Sequence, residues 1–285
     1  MRVSEGAAAP GTRSDRGLEA GLLRELTSVA HAMADAARAA ILPHFRSAGL
    51  SADNKLEGGY DPVTVADRAG EIAMRAVLDS LRPQDAVLGE ELAAKPGSSG
   101  LTWVLDPIDG TRGFLSGTPT WGVLIAVGGV DGPFLGIVDQ PYTGERFFGC
   151  PGGATLTHAG TTRPIRTRSA RPLSQAILFT TFPEVGTPQE RAAFAAVSDA
   201  AQLTRYGMDC YAYALLACGQ IDLVIEAGLH PYDIQGPLAL IEAAGGIVTD
   251  WDGGPAHGGG RVLAAANTAV HAQALAILRA GGPFI

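Results

Sequence analysis

Between Leu18 and Phe45 the apolar residues Leu22, Leu26, Val29 and Met33 return every three or four positions, which lays them along one face of an α-helix. Pro43 predicts a kink near the end of that helix. A polar, glycine-containing segment follows from Ser47 to Asp61, and Thr64–Leu81 repeats at helical spacing until Arg82-Pro83 stops it. The rhythm then shortens. Ala86–Gly89, Thr102–Leu105, Trp121–Gly128, Phe134–Val138 and Glu145–Phe148 are β-rich runs separated by Gly, Pro and Asp turns. Successive strands without helices between them predict an antiparallel sheet packed on the two preceding helices.

Beyond Ala170 strands and helices alternate. Ala176–Thr181, Leu203–Tyr206, Asp222–Glu226 and Val262–Ala266 have strand character. Pro188–Ala200, Asp209–Cys218, Asp233–Ala244 and Thr268–Arg279 have helical character. The chain is thus expected to form an α+β half over residues 18–172 and an α/β half over 173–285. No flexible linker marks the boundary near Pro172, so the halves are expected to pack tightly. Residues 1–17 are small, polar and punctuated by Pro and Gly, and predict a flexible tail with no signal-peptide run.

Composition narrows the classes of function. The 285 residues are 46% hydrophobic and 18% charged, an ordinary globular balance. A net charge of −8, with Lys55 and Lys95 as the sole lysines, disfavours nucleic acid, whose phosphates are gripped by clustered cations. No stretch is long and apolar enough to span a bilayer. Cys150, Cys210 and Cys218 lack metal-ligand spacing and are expected to be buried thiols in a reducing, cytoplasmic setting.

The chemistry lies in the acids. In Trp103-Val104-Leu105-Asp106-Pro107-Ile108-Asp109-Gly110-Thr111 a buried strand ends in one aspartate, a proline shapes a turn, and a second aspartate follows. Alone, this is equally an ordinary turn, since Asp, Pro and Gly all favour turns. It has company, however. Gly89-Glu90-Glu91 follows another apolar strand, Asp61-Pro62-Val63-Thr64-Val65-Ala66-Asp67 leads into a helix, and Pro231-Tyr232-Asp233 opens a third element. Helix capping would explain Asp67 or Asp233 singly. Acids at four rigid element ends are what a hard divalent cation requires, because it takes oxygen ligands in near-octahedral geometry.

Together these segments resemble the signature set of the inositol monophosphatase family of Mg²⁺-dependent phosphatases, from about Leu18 to the C-terminus. Within the family the chain is most similar to the histidinol-phosphate phosphatase branch. The finer match lies in Asp109-Gly110-Thr111-Arg112-Gly113-Phe114, Gly117–Gly122, Arg205–Tyr213 and Asp222–Leu229. Inositol-specific members more often carry Trp where Tyr232 stands and a small residue where Asp209 stands. The resemblance implies a layered α-β-α-β-α fold, with an antiparallel sheet under two helices and then a mixed-sheet α/β half.

It also implies roles. Glu90, Asp106 and the Ile108 carbonyl would hold one Mg²⁺, and Asp106, Asp109 and Asp233 a second, with room for a third, weaker ion near Glu90. A metal-activated water, oriented by Glu90 and Thr111 with Asp67 accepting from Thr111, would attack the phosphorus in line. Asp109, Gly110 and Thr111 would meet the phosphate. Arg205, Asp209, Glu226 and Asp233 would face the rest of the substrate, where acids suit the cationic histidinol moiety. Asp209 as a plain helix cap, and Arg205 as a plain surface residue, remain open alternatives. Tyr211 and Tyr213 read as core or interface aromatics, and His158, His230 and His257 as loop residues. The glycine-rich Lys55–Asp61 segment is expected to be a mobile loop over the site, and the family pattern implies a homodimer. Two other functions are compatible with the same residues: a broad inositol or sugar-phosphate phosphatase, and a metal-dependent binding protein without turnover.

Overall fold

The structure is a computed structural model that describes residues 19–54 and 62–280. The expected tail over 1–17 and the expected loop over Lys55–Asp61 lie outside the described residues. Helix α1 (Ala20–Ile41) buries Leu26, Val29, Ala30, Met33, Ala34, Ala37 and Ile41 along one stripe. Pro43 does not kink it. The helix has already ended, and Pro43 sits in a 3₁₀ turn, Leu42–His44, where its missing N–H costs nothing. A short antiparallel pair that the pattern did not suggest follows, β1 (Ala52–Asn54) with β2 (Pro62–Thr64). Helix α2 (Val65–Leu81) starts in a capping box in which Thr64 and Asp67 satisfy each other's backbone amides.

The first sheet runs in the order β3 (Ala86–Gly89), β4 (Thr102–Asp109), β5 (Gly122–Gly129), β6 (Gly132–Gln140), β7 (Glu145–Cys150), β8 (Gly153–His158), β9 (Thr161–Ile165). Every neighbouring pair is antiparallel except β3–β4, which corrects the all-antiparallel expectation. The segment between those two strands carries the chain back to its starting end, as a parallel pair requires. Strands β8 and β9 escaped the hydrophobic pattern because β9 is exposed at four of five positions. Their hairpin turns on Ala159 and Gly160, both at positive φ.

Helix α3 (Thr111–Ser116) interrupts this sheet between β4 and β5. The second sheet comprises β10 (Ile177–Thr180), β11 (Leu203–Tyr206), β12 (Leu223–Leu229), β13 (Ile247–Thr249) and β14 (Gly260–Ala265). Its spatial order is β11-β10-β12-β14-β13, parallel over the first three and antiparallel beyond. Around it lie α4 (Pro188–Ala200), α5 (Asp209–Ala217), α6 (Pro231–Ala243) and α7 (Thr268–Ala280). Helices α1 and α2 cover one face of the first sheet, and α4 and α7 cover the outer face of the second. Helices α5 and α6 fill the space between the sheets, giving the expected five layers, α-β-α-β-α.

Glycines set how close α6 comes to the first sheet. A Cβ on Gly136 would lie 2.2 Å from the Gly236 carbonyl oxygen, and one on Gly149 would lie 2.5 Å from Leu240 Cα. Gly136 and Gly149 are cross-strand partners in β6 and β7, so together they form a flat seat for the helix. That seat decides where the first turn of α6, and Asp233 with it, meets the end of β4. Among the described residues no helix is long and apolar enough to cross a membrane.

Candidate active site

Strand β4 carries the central acids. In a regular strand Asp106 and Asp109, three positions apart, would face opposite sides of the sheet. The register with β5 shifts between them, over a stretch that includes Pro107, which has no N–H to offer the ladder. The irregularity turns both carboxylates to one side. Asp106, Asp109 and Asp233 each offer an oxygen, and these atoms lie within 4.8 Å of one another. Asp106 is also fastened locally, its Oδ1 accepting from the Ile108 amide at 2.9 Å.

Asp233 is the third residue of α6, and its Oδ2 accepts from the His230 amide at 2.6 Å. Asp109 Oδ2 accepts from the Cys210 amide at 2.7 Å, at the start of α5. The trio is therefore assembled from β4 and α6 and braced by α5.

Beyond β4 the chain turns at Gly110, whose φ of 84° suits glycine, into α3. A Cβ at Gly110 would lie 2.8 Å from the Asp209 Cβ, so the turn and the start of α5 touch directly. The Thr111 hydroxyl lies 3.3 Å from Asp67 Oδ1 and 3.1 Å from the Ile108 carbonyl oxygen, either of which can accept its one proton. Asp67 is fully buried, and its Oδ2 accepts from the Thr64 amide at 2.8 Å and the Thr64 hydroxyl at 2.6 Å.

Asp209 does not cap α5. It is the first helical residue, at φ 46°, with Met208 at the cap, and its Oδ2 accepts from the Thr120 hydroxyl at 3.0 Å. Glu226, on β12, accepts from Thr181 through both the amide, at 2.9 Å, and the hydroxyl, and from the Tyr213 hydroxyl at 2.8 Å.

Asp106, Asp109, Thr111, Asp209, Glu226 and Asp233 line a cleft of about 420 Å³, together with Glu90, Arg112, Glu184, His230 and Tyr232, whereas Asp67, Thr64 and Thr120 lie behind its wall. Arg205 is exposed on the edge strand β11, outside the cleft lining. His230 is a loop residue, as read from the sequence; it precedes α6 at the cap position, stacks on Tyr232 with ring centroids 5.0 Å apart, and lines the cleft. Tyr213 is a core residue, as read from the sequence, yet its hydroxyl reaches Glu226. Its position one helical turn after Asp209 on the same face was the available signal. Arg112 lies over the Phe182 ring at 4.9 Å and faces Asp209, a role for which its place in the motif offered no sign.

Electrostatics show what this arrangement lacks when it stands alone. Burial, then the charges of Glu90, Asp109 and Asp233, raise the Asp106 carboxyl well above the ordinary aspartate value. Burial, then Asp233 and Asp209, does the same at Asp109. Burial also raises Asp209, against the Thr120 hydrogen bond and Arg112, and Glu226, against Thr181 and Tyr213. Converging carboxylates of this kind ionise together only beside a compensating cation. The all-oxygen donor set fits a hard divalent ion, and the residues present match that requirement. Of the three thiols, Cys210 is buried beside the trio, while Cys150 and Cys218 are half-buried; all are free.

The chain matches the profile of the inositol monophosphatase family over residues 22–281. It is 42% identical over 233 residues to the bifunctional phosphatase IMPL2, chloroplastic, of Arabidopsis thaliana, covering 81% of this chain and 66% of that relative. It is 33% identical over 258 residues to a histidinol-phosphatase of Mycobacterium tuberculosis, covering 89% and 97% of the two chains. Among solved structures, an inositol monophosphatase from Zymomonas mobilis superposes with a TM-score of 0.79 at 37% identity, over 90% of this chain and 98% of that one. Metal-dependent hydrolysis of small phosphate monoesters is the chemistry of such proteins. With five layers, a carboxylate trio at the end of β4 and a profile match along nearly its whole length, this chain belongs to the inositol monophosphatase family and is a phosphoric monoester hydrolase.

Proposed function

We propose that the protein is a Mg²⁺-dependent histidinol-phosphate phosphatase, releasing L-histidinol and phosphate. The observation that carries this reading is the second group of acids in the cleft. Asp209, Glu184 and Glu226 line it in addition to the trio, a surplus of negative charge that suits an alcohol bearing an ammonium and an imidazole. The relatives named histidinol-phosphatase support it, among them one from Streptomyces coelicolor at 31% identity over 258 residues.

In this reading Glu90, Asp106 and the Ile108 carbonyl hold one Mg²⁺, and Asp106, Asp109 and Asp233 another. When bound, the ions supply Lewis acidity to the phosphoryl oxygens and lower the pKa of water. The chain's own groups do the rest. Asp67, anchored by Thr64, accepts the Thr111 hydroxyl's hydrogen bond and leaves the Thr111 oxygen free to accept from the attacking water. Glu90 stands ready on the other side of that water. The amides of Gly110 and Thr111, not needed by the first turn of α3, meet phosphate oxygens. Asp209 and Glu226 orient the leaving alcohol through its positive charges. A cytoplasmic homodimer is part of the same proposal.

The test is steady-state phosphate release, with and without Mg²⁺, from L-histidinol phosphate, inositol 1-phosphate and fructose 1,6-bisphosphate. The proposal expects kcat/KM for histidinol phosphate about a hundredfold above the others, or about 2.7 kcal/mol of differential transition-state binding. Comparable values for all three would leave a generalist phosphatase. No release from any would leave a binding protein.

A further inference from the structure

Directly beneath the Gly89-Glu90-Glu91 turn, α2 places a charged pair that the reaction as described does not use. Glu71 has no exposed surface. It lies one helical turn beyond Asp67 and one turn before Arg75, on the same face of α2. Its Oε2 accepts from the Glu91 amide at 2.7 Å, and its Oε1 accepts from Arg75 Nε at 2.7 Å. Arg75 donates in turn to the Leu92 carbonyl at 3.1 Å. The Glu90 amide itself donates to the Leu105 carbonyl of β4 at 3.2 Å. Gly89 makes room for this, since a Cβ there would lie 2.0 Å from Glu71 Oε1. Glu90 is therefore held from both sides, by β4 through its own amide and by α2 through the next two residues.

Burying an ion pair is costly, and apolar residues of similar size would fill the same space at least as well. What the pair alone offers is an acceptor for one amide and a donor for one carbonyl, in a turn that lacks ladder partners for them. We propose that Glu71 and Arg75 are positioning residues that fix the backbone of the Glu90 turn and so aim the Glu90 carboxylate at the divalent-cation site. This rests on the role proposed above for Glu90. Neither residue lines the cleft, and both act through the turn.

Two variants approach the device from opposite sides. Glu71→Gln removes the acceptor for Arg75, and Gly89→Ala displaces the carboxylate without altering any charge. Each is made in the full chain and titrated with Mg²⁺, reading the metal-induced rise in Tm, with kcat and KM for the preferred phosphate monoester measured in parallel. Both should need about tenfold more Mg²⁺ for half-maximal stabilisation and lose about ten- to a hundredfold in kcat, with KM nearly unchanged. Folded variants that respond to Mg²⁺ at the wild-type concentration and keep wild-type kcat would overturn the proposal. Should either variant fail to fold, Arg75→Gln leaves the Glu71–Glu91 bond and removes the ion pair with Glu71 and the donor to Leu92. It should shift the Mg²⁺ midpoint in the same direction by about threefold; no shift overturns the proposal equally. A wild-type protein with neither Mg²⁺-induced stabilisation nor turnover would instead overturn the proposed function, and this inference with it.

Discussion

The backbone N–H of Cys210 donates to Asp109 Oδ2 at 2.7 Å, joining the end of β4 in the first sheet to a helix that lies between the sheets. Asp109 is thereby held in place even without a cation, inside a group of carboxylates that raise one another's pKa.

That relationship has a consequence for stability. Burial and the charges of Asp233 and Asp209 raise the Asp109 carboxyl, so the folded, metal-free protein releases a proton from this cluster at higher pH than the unfolded chain does. Stability contributed by that proton is fully present below the unfolded value and is lost as pH rises through the raised folded value. Asp109→Asn keeps an oxygen for the Cys210 amide and removes the charge. The metal-free variant should unfold at a higher temperature than the wild type at pH 8, and the difference should vanish towards pH 4. Thermal melts in chelator across that range check it, and a pH-independent difference would refute it.

Asp106 stands in both proposed ion sites. Asp106→Asn should lower kcat by at least about a hundredfold while leaving the far-ultraviolet circular dichroism unchanged. Phosphate release at saturating Mg²⁺ is the measurement. Retained activity would remove the two-ion assignment.

Glu226 uses both oxygens on Thr181 and Tyr213, so Glu226→Gln can keep its geometry while losing its charge. KM should rise several-fold for a cationic substrate and change little for a neutral one such as inositol 1-phosphate. Equal changes on both would show that the carboxylate acts by packing rather than by charge.

The glycine seat of α6 links fold to site. Gly136→Ala puts a methyl group into the Gly236 carbonyl and should cost about 1–3 kcal/mol of stability. Because Asp233 rides on the same helix, the variant should also need more Mg²⁺ for half-maximal activity. Denaturant melts and a Mg²⁺ titration test the two effects together. Lost stability with an unmoved Mg²⁺ midpoint would separate the seat from the site.

Much of this protein was readable along the chain. The stripes of α1 and α2, the buried run of β4 and the alternation after Ala170 follow from local periodicity, which is set by the geometry of each element alone. The acids at the element ends were visible for the same reason: each lies beside a local landmark, Pro107 for Asp106 or Pro231 for Asp233.

Only the tertiary structure could decide which of those acids meet. Asp106 and Asp109 converge because β4 slips register against β5, and Asp233 joins them because Gly136, Gly149 and Gly236 let α6 approach the sheet. Arg205, placed by sequence similarity near the substrate, ends on an exposed edge strand, whereas Glu226 gains its partner Thr181 from the residue that follows the neighbouring parallel strand β10. Strand order, register and layer spacing depend on contacts between residues far apart in the chain. Local periodicity shows which face of an element is buried and is silent on what lies against it.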